Sequence, residues 1–155
     1  MLGKHFEHEQ EALEVLEQIG EHFPGGFFIY QADEKEQLLY ANNFVFDIFG
    51  CESLDSFKAL TGFTFRGMVH PEDYESISKS IVRQLGERDD ESDHVEYRII
   101  RRDGSVRWID DYGHMVKSET YGSLFYVFIS DITDKKMMAE HDRAARSAVI
   151  EGVLS

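Results

Sequence analysis

The sequence predicts an α+β domain built on an antiparallel sheet. At 155 residues and 42% hydrophobic composition, the chain has the length of about one domain and enough apolar side chains for a core. Strand-like segments are separated from helix-like segments along the chain, without the alternation that predicts a parallel sheet. The dipeptide Asp103-Gly104, between two strand-like runs, is a hairpin signal.

The first predicted element is an amphipathic helix over residues 4–23. Apolar side chains recur at helical spacing, with Glu residues between them. Pro24 and the two glycines after it end the helix. The apolar stripe of this helix consists of Phe6, Leu13, Leu16 and Phe23. It is expected to pack against another apolar surface.

A short hairpin and several small helices are predicted next. Residues 27–31 and 37–41 form two strands around a polar turn. Asn42 or Asn43 can cap the first small helix. A longer helix is predicted to begin at Pro71, where no backbone N–H is needed, and to end at Gly86, with Ile77 and Ile81 on its apolar face.

Three long strands, 95–102, 106–116 and 122–133, are predicted to complete the sheet before a final helix over 134–155. A two-residue turn in the second hairpin would set Glu96 opposite Asp111, an unfavourable like-charge pair.

A three-residue turn over 103–105 is therefore preferred. It sets Arg98 opposite Asp110 and Ile100 opposite Trp108. In this register Asp111 faces inward, directly opposite Tyr97, where an apolar surrounding requires it to have a polar partner. The two-residue turn remains the alternative, with Asp111 outside.

The charge balance excludes several classes of partner. A net charge of −14 repels phosphate backbones and anionic lipids, so no nucleic-acid partner is expected. The apolar runs are too short to span a bilayer, so no membrane insertion is expected and a cytoplasmic location is predicted. The single cysteine, Cys51, excludes an intrachain disulfide.

Residues 23–133 resemble the PAS sensor domains of bacterial signalling proteins. The segments that carry the resemblance are LYANNF at 39–44, VHPEDY at 69–74, EYRIIRRDGSVRWI at 96–109 and DITDKK at 131–136. The resemblance implies a five-stranded antiparallel sheet with helices on one face, a small cavity and dimerisation through flanking helices. It also implies fusion to an output domain, such as a histidine kinase or a cyclic-di-GMP enzyme. The expected division is a flanking helix over 1–23, a PAS domain over 24–133 and a signalling helix over 134–155.

No cofactor is expected. The reactive-cysteine motif of flavin-binding relatives is absent, and residues 72–86 lack the histidine that haem-binding relatives place there. His70 is interpreted as a helix cap and Cys51 as a packed side chain. No metal site is expected either, because His5 and His8 lack the spacing of a known motif.

Three groups of candidate site residues follow from the predicted faces of the strands and helices and from the resemblance to PAS domains. The signal is expected to pass to the final helix through Asp131 and Thr133. The flanking-helix stripe named above and an outer apolar patch are expected to mediate dimer contacts, the patch being Ile100, Trp108, Tyr126 and Phe128. The candidate ligand-pocket residues are Tyr97, Ile99, Ile109, Asp111, Phe125, Val127, Ile129, Met68, Ile77 and Ile81.

The sequence thus predicts a sensory module that passes ligand occupancy or dimer geometry to a C-terminal output domain. A ligand-free dimerisation scaffold is the alternative. A small enzyme with Asp111 as its base is a third possibility, but no catalytic partner for that base can be placed. No catalytic residue is therefore predicted.

Overall fold

The computed structural model describes residues 9–22, 24–87 and 90–154. A five-stranded antiparallel sheet with strand order β2-β1-β5-β4-β3 organises the fold, which confirms the α+β prediction. The elements are α1 (Glu9–His22), β1 (Gly26–Gln31), β2 (Leu38–Ala41), α2 (Asn43–Ile48), α3 (Leu54–Thr61), α4 (Phe65–Met68), α5 (Tyr74–Glu87), β3 (Ser92–Ile100), β4 (Val106–Ser118), β5 (Gly122–Asp131) and α6 (Thr133–Leu154).

The inner face of the sheet carries the main core. Side chains from α2 to α5 pack against alternate residues of all five strands, including Phe28, Tyr97 and Val127. The outer face carries a smaller buried cluster of Phe27, Ile29 and Leu124. The central strand β5 is therefore covered on both faces along part of its length, as its continuous apolar run predicts.

The predicted register of the β3–β4 hairpin is wrong by two residues. Arg98 pairs with Trp108 and Ile100 with Val106, so residues 101–105 lie between the strands. The longer loop is stabilised because Asp103 accepts hydrogen bonds from the backbone and hydroxyl of Ser105. Arg101 also leaves the ladder, and its Nε donates to the carbonyl of Ile48 at 3.1 Å.

The faces of the hairpin are nevertheless as predicted. Side chains alternate with a period of two, so an even shift in register leaves each one on its original face. Asp111 lies on the inner face and pairs with Val95, while Tyr97 pairs with Ile109. Tyr97 and Asp111 are therefore diagonal neighbours rather than directly opposite.

Asn42 joins α1 to the sheet. Its side chain is fully buried, and its Nδ2 donates to the carbonyl oxygens of Gly20 and Gly25 at 2.7 and 2.9 Å. Its Oδ1 accepts from the backbone N–H of Phe27 and caps α2 by accepting from Val45. One amide thus fixes the end of α1, the start of β1 and the start of α2.

Helix α5 begins at Tyr74 rather than at Pro71, because residues 71–73 form a turn before it. The side chain of His70 caps this turn rather than the helix, since its Nδ1 accepts from the backbone N–H of Glu72 at 3.1 Å. Cys51 is buried, with its Sγ 3.8 Å from the carbonyl oxygen of Phe49. Within the described part of the chain, none of the helices has the length and apolarity needed to cross a membrane.

Candidate functional site

The structure brings all ten candidate pocket residues together in the main core. Each is at least nine-tenths buried, and they lie on the inner face of the sheet, in α4 or in α5. Aromatic rings fill much of this region, since Tyr30 stacks on Phe65 with centroids 4.7 Å apart and on Phe125 at 5.0 Å. The predicted set is therefore one continuous, largely apolar region with a few polar atoms inside it.

Asp111 supplies the main polar group of this core. It is 2% exposed, and its Oδ2 accepts a hydrogen bond from the Tyr97 hydroxyl at 2.7 Å. Burial raises the pKa of Asp111 well above its usual value; the Tyr97 hydrogen bond opposes this shift, and the charge of Asp93 adds to it. Burial therefore shifts this carboxyl towards its protonated form.

Two further polar groups surround Asp111. Burial raises the pKa of the Tyr30 hydroxyl well above its usual value. Asp93 is 3% exposed and lies beside Gly113, where a Cβ would come within 2.7 Å of its Oδ2. Only glycine leaves room for that carboxylate. A small molecule entering this core would meet hydroxyl and carboxyl groups surrounded by aromatic rings.

Asp131 and Thr133 fasten α6 to the sheet. Asp131 Oδ1 accepts from both the backbone N–H and the hydroxyl of Thr133. Thr133 Oγ1 in turn accepts from the backbone N–H of Trp108 at 2.8 Å. The Asp131 carboxylate also lies 3.7 Å from Nε of Arg107. The end of β5, the start of α6 and the start of β4 therefore share one small network.

The first turn of α6 makes a second contact with the outer face. Lys136 Nζ lies 2.7 Å from Oε1 of Glu96 and 4.3 Å from the centroid of the Trp108 ring. A cleft of about 580 Å³ opens beside this contact, between the strands and α6. The cleft is lined by side chains that include Glu96, Trp108, Asp110, Lys136, Glu140 and Arg143.

Three potential ligands of a cation meet at the edge of this cleft. Glu96 pairs directly with Asp110 across the ladder, and His94 Nε2 contacts Asp110 Oδ1. Sequence reasoning missed this group, because its preferred register set Asp110 opposite Arg98. The alternation of polar residues along both strands was a usable signal, but only in the correct register.

Arg98 is instead directed to the start of α5. Its Nη2 donates to Asp73 Oδ1 at 2.7 Å, and its backbone N–H donates to Oδ2 at 2.8 Å. These hydrogen bonds lower the pKa of Asp73. The pair links β3 to the longest helix on the inner face.

The outer apolar patch is only partly covered. Phe128 is 45% exposed and Ile100 39% exposed, whereas Trp108 and Tyr126 are half-buried. The patch is therefore partly open in the single chain, and its expected role in dimer contacts stays a prediction. Helix α1 lies nearer β1 and β2, where the approach of Gly20 leaves no space for a side chain between Tyr40 and Phe27.

The flanking-helix stripe is described only in part. Phe6 and Phe23 lie outside the described residues. Leu13 and Leu16 lie within α1, but their side chains are also outside what the structure describes. Their expected contacts remain predictions.

Comparisons with known proteins bear on the fold. Residues 38–128 match the family model described as PAS fold. A search of curated proteins finds no match.

Many solved structures are similar. A PAS domain of a protein from Colwellia psychrerythraea is 18% identical with a TM-score of 0.60, and the match covers 79% of this chain and 98% of that one. A sensory box histidine kinase/response regulator from Burkholderia thailandensis is 20% identical with a TM-score of 0.62, and the match covers 90% and 98%.

A third similar structure is the PAS domain, in complex with ethanol, of a LuxR-family transcriptional regulator from Burkholderia thailandensis. It is 17% identical with a TM-score of 0.57, and the match covers 74% of this chain and 95% of that one. At these identities the likeness is one of fold.

Proposed function

The chain belongs to the PAS fold family, and from this premise we propose that it is a cytoplasmic sensory module that passes a signal through β5 into α6. The signal is occupancy of the inner core by a small ligand, or a change in dimer geometry. Its receiver is a C-terminal output domain, either a histidine kinase or a cyclic-di-GMP enzyme. The proposed organisation is a flanking helix over 1–23, the PAS domain over 24–133 and the signalling helix from 134.

The observation that carries this proposal is the network at the end of β5. Ile129 faces the core, and two residues later Asp131 holds the first turn of α6. Thr133 bonds to the backbone of β4, so a change in the spacing of β4 and β5 alters the start of α6. The mechanism is a population shift between two sheet geometries, each favouring one arrangement of the helix.

The ligand end of the pathway is the region around Asp111. Its carboxyl and the Tyr97 hydroxyl are polar groups that a small molecule can engage inside an apolar core. The complex of a similar PAS domain with ethanol supports a small polar ligand for this chain. Asp111 also lies on β4 directly opposite Ile129 of β5, so a molecule bound there touches the strand that leads to α6.

The dimer part of the proposal rests on the outer face. The exposed rings of Phe128 and Tyr112 pair across β5 and β4, and together they form an apolar surface on a charged protein. A second copy of the chain is the proposed cover. Analytical ultracentrifugation of Phe128→Ser and of the wild type tests this dimer contact. An unchanged oligomeric state in the variant would exclude this face as the dimer interface.

Asp131→Ala in the full-length protein tests the coupling. Loss of the carboxylate removes two hydrogen bonds to Thr133, so output is expected to become independent of the signal while the PAS core remains folded. The matched control is Asp142→Ala, an exposed acid further along α6, which is expected to behave as wild type. If the output of Asp131→Ala still depends on the signal, Asp131 does not couple the sheet to α6.

The close aromatic packing of the core favours a second candidate, a ligand-free scaffold. Native mass spectrometry of the purified protein separates the two. A retained small molecule, lost in Asp111→Ala, supports the sensor. No retained molecule, together with no thermal shift from any metabolite in a screened set, supports the scaffold.

A further inference from the structure

We propose that His94, Glu96 and Asp110 bind a divalent transition-metal ion on the outer face, at the foot of α6. Each of these three side chains offers one nitrogen or oxygen ligand atom, and the three atoms all lie within 4.8 Å of one another. Zn²⁺ binds such atoms at roughly 2.0–2.2 Å, so two ligands of one ion lie up to about 4.4 Å apart, close to the spacing of this group.

The donor set fits this class of ion. One imidazole and two carboxylates are typical ligands of zinc and its neighbours, whereas magnesium and calcium prefer oxygen alone. The side chains of His94 and Asp110 are 37% and 19% exposed, so water can fill the remaining coordination positions. The His94 ring is also held in place by stacking on Tyr112, with centroids 4.1 Å apart and planes 3° from parallel.

The electrostatics independently favour a cation at this position. Glu96 and Asp110 form a directly opposite like-charge pair, which is unfavourable in a sheet unless a positive charge offsets it. The structure already places a positive charge there, since Lys136 Nζ lies 2.7 Å from Glu96. A metal ion supplies the same compensation with twice the charge and with directed bonds to all three side chains.

Metal binding has a direct consequence for α6. The ion competes with Lys136 for Glu96, and Lys136 is the residue that holds the first turn of α6 against Trp108. An ion at this site therefore loosens one of the contacts that join the first turn of α6 to the sheet. This link to signalling rests on the proposed function, whereas metal binding itself does not.

The single tryptophan, Trp108, reports on the site without a label. Zinc chloride titrated into the 155-residue chain is expected to change Trp108 emission in one saturable step. Calorimetry is expected to give one ion per chain. His94→Gln and Asp110→Asn are each expected to weaken binding at least about tenfold, because each removes a ligand. Lys136→Met is expected to tighten binding by roughly two- to fivefold, because it removes the competing charge of an exposed ion pair.

Two controls separate this site from other histidines. His114 is an exposed residue on the same strand and face as Asp110. The His114→Gln variant is expected to bind zinc with the affinity of the wild type. The double substitution of His5 and His8 by Gln is likewise expected to leave binding unchanged. Circular dichroism verifies that each variant is folded.

The proposal is overturned by an absence of saturable binding, by binding that survives His94→Gln and Asp110→Asn, or by binding lost with His5 and His8. Asp131→Ala serves to keep the two proposals apart. The output of this variant tests the coupling network. Its zinc affinity, measured by Trp108 emission, tests the metal site, and the two measurements are independent.

Discussion

Asp110 and Asp111 are consecutive residues of β4 that face opposite sides of one sheet. Asp111 is surrounded by the core and is hydrogen-bonded by Tyr97, and its raised pKa favours the neutral carboxyl. Asp110 lies on the partly exposed outer face with His94, Glu96 and, one step away, Lys136. The same side chain is thus used as a buried hydrogen-bonding group in one position and as part of a charged cluster in the next.

The difference shows what each face of the sheet is suited to. The inner face excludes water, so a polar ligand there gains from every hydrogen bond but must displace packed rings. The outer face is accessible, so ions and ammonium groups exchange there without disturbing the core. If both proposals hold, one strand receives two different inputs on its two faces.

Asp111→Ala gives the largest expected effect on the inner face. It leaves the Tyr97 hydroxyl without its acceptor and creates a small cavity, so the free energy of unfolding is expected to fall by roughly 2–4 kcal/mol. Urea denaturation measures the loss, with the exposed Asp142→Ala as control. In a double-mutant cycle with Tyr97→Phe, the combined loss is expected to be smaller than the sum of the single losses. Additive losses would contradict the pairing.

The pH dependence of stability tests whether Asp111 is neutral in the folded state. In the unfolded chain its pKa returns to about 3.9, whereas burial raises it in the folded protein. The folded state then holds a proton that the unfolded chain releases, so this group's contribution to stability falls as pH rises from about 4 towards the folded-state pKa.

Asp111→Asn removes that titration. The stability of the variant relative to wild type is therefore expected to rise with pH, by up to about 1.4 kcal/mol per unit. Urea denaturation of both proteins at several values between pH 4.5 and 8 measures the difference. A difference that stays constant across this range would show that Asp111 is ionised in the fold.

Asp110→Asn is expected to give the smallest effect. It relieves the repulsion with Glu96 but also weakens the contact with His94, and both groups are partly solvated. The net change in unfolding free energy is expected to stay within about 0.5 kcal/mol in buffer with a metal chelator. A loss as large as that of Asp111→Ala would remove the contrast between the two faces.

The sequence was sufficient for the order of elements and for the faces of the strands, because both depend on local periodicity. The alternation around Tyr97 and Ile109 survives a two-residue error in register. Register itself was argued from the repulsion between Glu96 and Asp111, yet the structure accepts a like-charge pair of Glu96 with Asp110. Lys136 offsets that pair, and it comes from an element that the local argument did not consider.

The same error hid the outer-face cluster. His94, Glu96 and Asp110 are separated along the chain, and they meet only when β3 and β4 pair as they do. The core residues were easier to identify, since burial follows from apolar periodicity on each element alone. A site formed by opposite residues of two strands can be predicted only when the length of the connecting turn is known. Here Asp103 and Arg101 make contacts outside the hairpin ladder that lengthen the turn.

The joints at the two ends of the domain differ in strength. Asn42 is completely buried and holds α1 through a neutral, buried hydrogen bond to the carbonyl of Gly20. The Asp131 side chain is 30% exposed, so water can compete for its bonds to α6. The sheet is therefore expected to yield more readily where it joins α6 than where it joins α1. If the proposed coupling holds, a deformation that begins in the core displaces α6 more than α1.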